Sequence, residues 1–305
     1  MTAASHPAAD ATATVAETRT PPRGSFLALL VGNATLAAGP LFVRLADVGP
    51  VSAAFWRLAL ALPLLLLFAR RDFQGTTPSR GLIMLAVLAG LFFAADLASW
   101  HAGILMTKMA HATLFGNAAS LILAVTTLIV ARRWATRIEA LAISLAVAGA
   151  AMLMHDSGQA GDARLVGDLL CVLAGVLYAG YVLAMQRARG GLSPFQTLTI
   201  ASAAGMLPLL GIAAVLGETI VPTVWWPVIA LALSSQVIGQ GLLVYALPHY
   251  SALVVGLTLL TQPVVAALIG WIVYAEGLSP IESIGGVLVA AGLVLVRLPT
   301  RAPAD

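Results

Sequence analysis

The stretch GLIMLAVLAGLFFAADLASWH, residues 81–101, decides the fold class. A helix crosses the hydrocarbon core of a bilayer with about 20 mostly apolar residues. This stretch has that length, and its ionisable groups are one carboxylate, Asp96, and one imidazole, His101. The rest of the chain is of the same kind. Of 305 residues, 60% are hydrophobic and 10% charged, with a mean hydropathy of +0.97. A soluble domain carries about 25% charged residues. No soluble fold of this size hides so much apolar surface, so the bilayer is the solvent this chain requires.

Splitting the chain at its polar, Gly and Pro punctuation predicts ten spans, near 25–44, 51–69, 81–101, 109–130, 137–154, 167–187, 195–216, 226–246, 252–272 and 282–297. With the N-terminus inside, twelve arginines fall in cytoplasmic segments: 19, 23, 70, 71, 80, 132, 133, 137, 187, 189, 297 and 301. The outer segments hold three cations, Arg44, Lys108 and Arg164, while Arg57 lies within the second span. Positive charge marks the cytoplasmic side, so both termini are expected there. The arginines are scattered in short pairs, which reads as a topology signal and not as a nucleic-acid surface. Residues 1–24 and 298–305 are expected to be cytoplasmic tails, the first disordered, and 155–166 an outer connecting loop.

Ten is five plus five. A shift of 143 residues lays spans 4–5 on spans 9–10: Ala124 on Ala267, Ile129 on Ile272, Ile138-Glu139 on Ile281-Glu282, Leu145 on Leu288, and Ala148-Gly149 on Ala291-Gly292. With five spans in each half, 25–154 and 167–297, the second half must be inverted relative to the first. Inverted repeats mark alternating-access transporters, whose substrate site lies near the midplane between the halves.

Enzyme motifs are missing: there is no H-E-x-x-H zinc site and no G-x-S-x-G elbow, and the single lysine is in no phosphate loop. The single Cys171 excludes an intrachain disulfide and reads as a packed small hydrophobe. No metal, cofactor or catalytic residue is expected.

Three segments resemble one known family. FWRLALA (55–61) resembles the second helix of the drug/metabolite transporter superfamily, EamA family, and LYAGY (177–181) resembles its sixth. LTLLTQPVVAALIGWIVYAEGLSPIESIGGVLVAAGLVLV (257–296) resembles its closing segment, with a Pro in the ninth helix and a Glu after it. The first half departs from the second, with Ser120 opposite Pro263 and Arg133 opposite Glu276. The resemblance, over about residues 25–297, implies an all-α ten-helix carrier. Within the family the chain looks most like bacterial exporters of aromatic and neutral amino acids in the inner membrane. The alternative is a carrier of other metabolites, drugs or nucleotide sugars.

Polar groups in mid-span are the candidate site residues. On the third span Phe93, Asp96, Leu97 and Trp100 share one helical face. A charge at the bilayer centre costs at least about 2.5–3.5 kcal/mol, so Asp96 is expected to point inward. It would bind a substrate ammonium group or a proton, or else serve structure by pairing with Arg57. The shift lays Gln236 on Phe93 and Gln240 on Leu97, two amides that either line a cavity or join helices. Tyr178 and Tyr181, with Trp100, are expected to form an aromatic lining, and Asn33 and Gln262 to be further cavity contacts. Arg57 is expected in a structural or gating role. Pro40, Pro208 and Pro263, with Pro63, are expected as kinks or hinges. His101, His111 and His249 read as solvated or capping residues. Ser144/Ala148 and Gly286/Ala290 are small-residue pairs that allow close packing, within the chain or in a homodimer.

Overall fold

The computed structural model describes residues 24–75, 78–130, 132, 134–246, 258 and 261–295. The expected tails at 1–23 and 298–305, and His249, lie outside them. Every regular element among the described residues is helical. Seven stretches are long and apolar enough to cross a membrane, and two shorter apolar helices follow near the C-terminus.

The first crossing is bent. Helices α1 (Ser25–Ala37) and α2 (Gly39–Leu45) meet at Ala38. Pro40 sits in the first turn of α2, where its missing N–H would be unpaired anyway, so it starts a helix instead of kinking one. Next come α3 (Pro50–Gly75), α4 (Arg80–Met106), and the pair α5 (Met109–Gly116) and α6 (Ala119–Val130), which breaks at Asn117 and Ala118. Helix α7 (Arg137–Gln159) begins with a reciprocal cap: Thr136 accepts from the N–H of Glu139, and Glu139 accepts from the N–H of Thr136. Helix α8 (Asp162–Ala188) follows after Ala160 and Gly161. The outer loop expected at 155–166 therefore shrinks to two residues, because both helices extend past their apolar cores on polar terminal turns.

Helix α9 (Pro194–Val215) carries Pro208 in its interior. The eighth expected span is composite: α10 (Trp226–Leu231), a π-helical stretch (Ala232–Gly239) and α11 (Gln240–Ala246). The described residues end with α12 (Thr261–Tyr274), which contains Pro263, and α13 (Pro280–Leu295).

Helix α4 lies against α8 and α9, α3 against α9 and the π-helical stretch, and α1 against that stretch and α11. Helices α5 and α6 pack on α8, and α1 and α5 on α12. Helices α7 and α13 form a pair of their own. Their closest approach is at Gly149, Gly285 and Gly292. A Cβ on Gly149 would lie 2.5 Å from the carbonyl oxygen of Gly285, and one on Gly292 2.6 Å from that of Ala142. The expected small-residue pairs are not this seam, since Ser144 and Ala148 are exposed and Gly286 faces open space. The seam lies one residue away, on the face that also buries Ala142, Ala146 and Val289.

Near the ends of α2 and α9, Thr223 and Val224 donate to Asp47. The Thr223 hydroxyl, foremost among these donors, holds the Asp47 carboxyl below the ordinary carboxylate range.

Backbone cannot swing aside as a side chain can, so Gly149→Ala is expected to lower the thermal unfolding midpoint in detergent by several degrees, as overpacking by about 1–3 kcal/mol would. Gly286→Ala is expected to leave it unchanged or raise it slightly. Equal responses would contradict this seam.

Candidate functional site

The inward face of α4 behaves as its periodicity predicts: Phe93, Asp96 and Leu97 are buried and Trp100 is half-buried. Phe93 stacks on Tyr181 of α8 with ring centroids 4.6 Å apart, and Tyr178 lies 5.3 Å from Tyr181. Helix α8 thus gives α4 an aromatic wall.

Arg57 enters this wall from α3 and is 3% exposed. Its Nε donates to Gln236 Oε1 at 3.2 Å, and Gln236 Nε2 donates to Ser202 Oγ of α9 at 3.2 Å. The guanidinium carbon lies 5.7 Å from the Phe93 ring centroid, within range of a cation–π contact. The two positions matched by the 143-residue shift, Phe93 and Gln236, therefore meet at the same cation. Gln240 hydrogen-bonds Tyr178 through its side chain. The π-helical stretch has a wider turn than an α-helix, and such insertions recur at functional sites. Here it accompanies burial of Ser235, Gln236, Gly239 and Gln240.

Asp96 is 7% exposed and feels the charge of Arg57. Among the described residues the two form no direct ion pair. A guanidinium and a carboxyl group thus face one apolar, aromatic region without touching each other.

The other expected residues are dispersed. Gln262 Nε2 donates to Asn33 Oδ1 at 2.8 Å, a pair that ties α12 to α1. Asn33 is fully buried, and among the described residues its Nδ2 has no hydrogen-bond partner. Trp100 Nε1 donates to the Ala112 carbonyl at 3.0 Å, so the indole braces the start of α5. His101 is not solvated: it is fully buried, with Nδ1 3.1 Å from the Pro50 carbonyl oxygen. The prolines do not converge on the Arg57 cluster. Pro40 lies in the first turn of α2, Pro63 and Pro208 are internal to α3 and α9, and Pro263 lies in α12.

A second polar cluster has no local signal in the sequence. Arg44 Nη1 is 2.6 Å from Glu276 Oε1, and its Nε and Nη2 donate to the carbonyls of Ile104 and Thr107. Glu276 also accepts the N–H of Met109 at 2.9 Å. Lys108 Nζ is 2.5 Å from Glu282 Oε2. His111, expected to be solvated, is buried between Asp168 and Glu282. Asp168 further accepts from Ser157 at 2.6 Å and from Thr107. These partners lie far apart in sequence (57 residues separate His111 from Asp168), so no short motif reveals them. Only the Ser279–Glu282 cap, which repeats the S-x-x-E pattern, was readable. A depression of about 640 Å³ opens beside this cluster, lined by Arg44, Thr107, Lys108, Arg164, Tyr274 and Glu276 among others.

Residues 165–298 match the model of the EamA-like transporter family. That segment, just under half of the chain, is similar to an EamA-like transporter domain. That family belongs to the drug/metabolite transporter superfamily, whose members are small-molecule transporters. With its apolar helices, the domain makes this a multi-pass membrane protein. A comparison with curated proteins returned no match. One solved structure, described only as "Crystal structure of protein", superposes with a TM-score of 0.61 at 14% identity, over 90% of this chain and 98% of the other. That likeness concerns the fold alone.

The Arg57–Asp96 arrangement makes an energetic prediction. Arg57→Met leaves a buried carboxylate without its compensating charge. The double variant Arg57→Met/Asp96→Leu removes both charges and is expected to unfold later in mixed micelles than Arg57→Met alone. The double-mutant cycle should give a coupling of about 1–3 kcal/mol. Strict additivity would contradict electrostatic coupling between the two sites.

Proposed function

We propose that the protein is a secondary transporter that exports, or facilitates movement of, neutral amino acids, aromatic ones included, across the bacterial inner membrane by alternating access. The observation that carries this reading is the separated pair Arg57 and Asp96, both buried and not in direct contact. A zwitterion offers one carboxylate and one ammonium group. Placed between the two side chains, it would set its carboxylate toward the guanidinium and its ammonium toward Asp96, with Gln236, Gln240 and Tyr178 as further hydrogen-bond partners. Phe93, Tyr178 and Tyr181 would receive an apolar or aromatic side chain, in the way small-molecule sites combine apolar walls with a few polar groups. Among the described residues this cluster has one basic side chain. A nucleotide sugar needs more cations for its phosphates, so small zwitterions suit it better than that rival. Arg57, expected earlier in a structural or gating role, takes part in binding on this account.

Alternating access needs two halves that move against each other, and we read the chain as ten crossings in two inverted five-span halves with cytoplasmic termini. Three observations support this. The helix pairs exchange under the swap of first and second halves: α4 with α8 becomes the eighth span with α1, and α4 with α9 becomes the eighth span with α3. The seam of α7 and α13 obeys the same 143-residue shift, because Gly149 meets Gly285 as Gly292 meets Ala142. The reciprocal cap of Thr136 and Glu139 recurs 143 residues later in Ser279 and Glu282.

Purified protein in liposomes is expected to move labelled phenylalanine and other neutral amino acids down their gradients, and Asp96→Asn is expected to cut the rate by about tenfold or more while leaving the protein monodisperse. Absence of protein-dependent flux across a broad amino-acid panel would refute the substrate class. Unchanged flux in Asp96→Asn would remove Asp96 from the site.

A further inference from the structure

The second polar cluster ties the two proposed halves together. Arg44, Lys108 and His111 come from residues 25–154, and Asp168, Glu276 and Glu282 from 167–297. The cluster lies at the ends of helices that the positive charges assign to the outer side. His111 Nδ1 is 3.3 Å from Asp168 Oδ2, and His111 Nε2 is 3.3 Å from Glu282 Oε1. A neutral imidazole has one N–H, so it can donate to one of these carboxylates; only the imidazolium carries a proton on both nitrogens. Glu282 Oε1 and His111 Nε2 have no aligned hydrogen-bond partner. Their contact therefore rests on charge, and it turns repulsive if Nε2 presents a lone pair to the carboxylate.

Charge balance gives the same answer. Two fixed cations, Arg44 and Lys108, stand against three carboxylates, Asp168, Glu276 and Glu282. Arg44 is paired with Glu276 and Lys108 with Glu282, so among the described residues the buried Asp168 has His111 as its cation within ion-pair distance. The groups in contact with His111 are Asp168 of α8, Glu282 of α13 and Ser157 of α7, whose Oγ is 3.4 Å from His111 Nδ1, while Arg44, Lys108, Arg164, Tyr274 and Glu276 line the depression beside them. Ser157 of α7 donates to Asp168, and Asp156 beside it accepts from Ser279. The depression of about 640 Å³ includes Thr107 and Lys108 in its wall, and these two residues touch Asp168 and Glu282.

We propose that His111, Asp168 and Glu282 form a proton-binding site that latches the outer end closed while His111 is protonated and frees it when the proton leaves. This rests on the alternating-access reading and is independent of the amino-acid substrate. It also moves proton coupling away from Asp96, to a site that opens on outer solvent.

Cys171, the single cysteine, reports on the latch. It is fully buried one turn from Asp168, against Gly103 of α4. In full-length protein reconstituted in liposomes, a charged, impermeant methanethiosulfonate added outside is applied between about pH 5.5 and pH 8.5, bracketing the ordinary imidazole titration. Each rate is divided by that of the SDS-unfolded protein at the same pH, which removes thiol ionisation. The normalised rate is expected to rise about tenfold or more toward high pH, as a local opening does. It is expected to be high and pH-independent in His111→Gln. Should that variant fail to fold, Glu282→Gln replaces it, with the same loss of pH response expected. A flat profile in the wild type, or a full pH response in the variant tested, overturns the proposal. Because labelling needs no substrate, these outcomes are separate from a failure of amino-acid flux.

Discussion

A guanidinium buried among apolar helices is the constraint around which the centre of this protein is arranged. An ion in mid-membrane is costly unless protein groups replace water. Arg57 finds those groups on helices distant in sequence: the Gln236 amide, the Phe93 ring face and the charge of Asp96. Each condition fixes a neighbour in turn. Gln236 is held by Ser202, and Phe93 by Tyr181. The π-helical stretch Ala232–Gly239 accompanies burial of both amides. What remains without direct contact, a guanidinium and a carboxyl group beside aromatic walls, is the feature a zwitterion would complete.

Hydropathy located the seven long apolar stretches because a crossing needs about 20 apolar residues and the bilayer leaves few alternatives. The inward face of α4 was legible for a related reason: one carboxylate in 21 apolar-rich residues must turn away from lipid. Breaks inside crossings were not legible. Nothing local in Ala38 or Asn117 marks a helix end, since such bends depend on neighbouring helices that supply or fill space. The π-helical turn was equally hidden, because its sequence reads as an ordinary apolar helix. Hydrogen-bond partners were least legible of all. Arg57 and Gln236 are 179 residues apart, and Lys108 and Glu282 are 174 apart. His101 and His111 were misread for this reason: near a helix end, solvent is the default partner, and only the packed bundle shows that protein has replaced it.

Polar side chains tie the proposed halves together at both ends of the bundle. One end holds Arg44–Glu276, Lys108–Glu282 and the His111 bridge, with Glu218 capping the start of α3 through Val51 and Ser52. At the opposite end, Ser193 donates to Asp72 at 2.6 Å. All of these contacts involve a carboxylate, and charge-assisted hydrogen bonds are about twice as strong as neutral ones. Movement of the proposed halves would have to loosen the charged contacts at the end assigned to the exterior. Site and end contacts are distinct in chemistry as well as place: aromatic rings and amides in the middle, ion pairs at the end.

The central claim is that Arg57 and Asp96 together read the two charges of an amino acid. Equilibrium competition for bound labelled phenylalanine tests it most directly, with unlabelled phenylalanine set against phenethylamine, which lacks the carboxylate, and hydrocinnamate, which lacks the amine. The account predicts that phenylalanine competes and that each one-charge analogue is weaker by about tenfold or more, because each leaves a buried charged group without its partner. Equal competition by the three compounds, or no binding of phenylalanine at all, would contradict it.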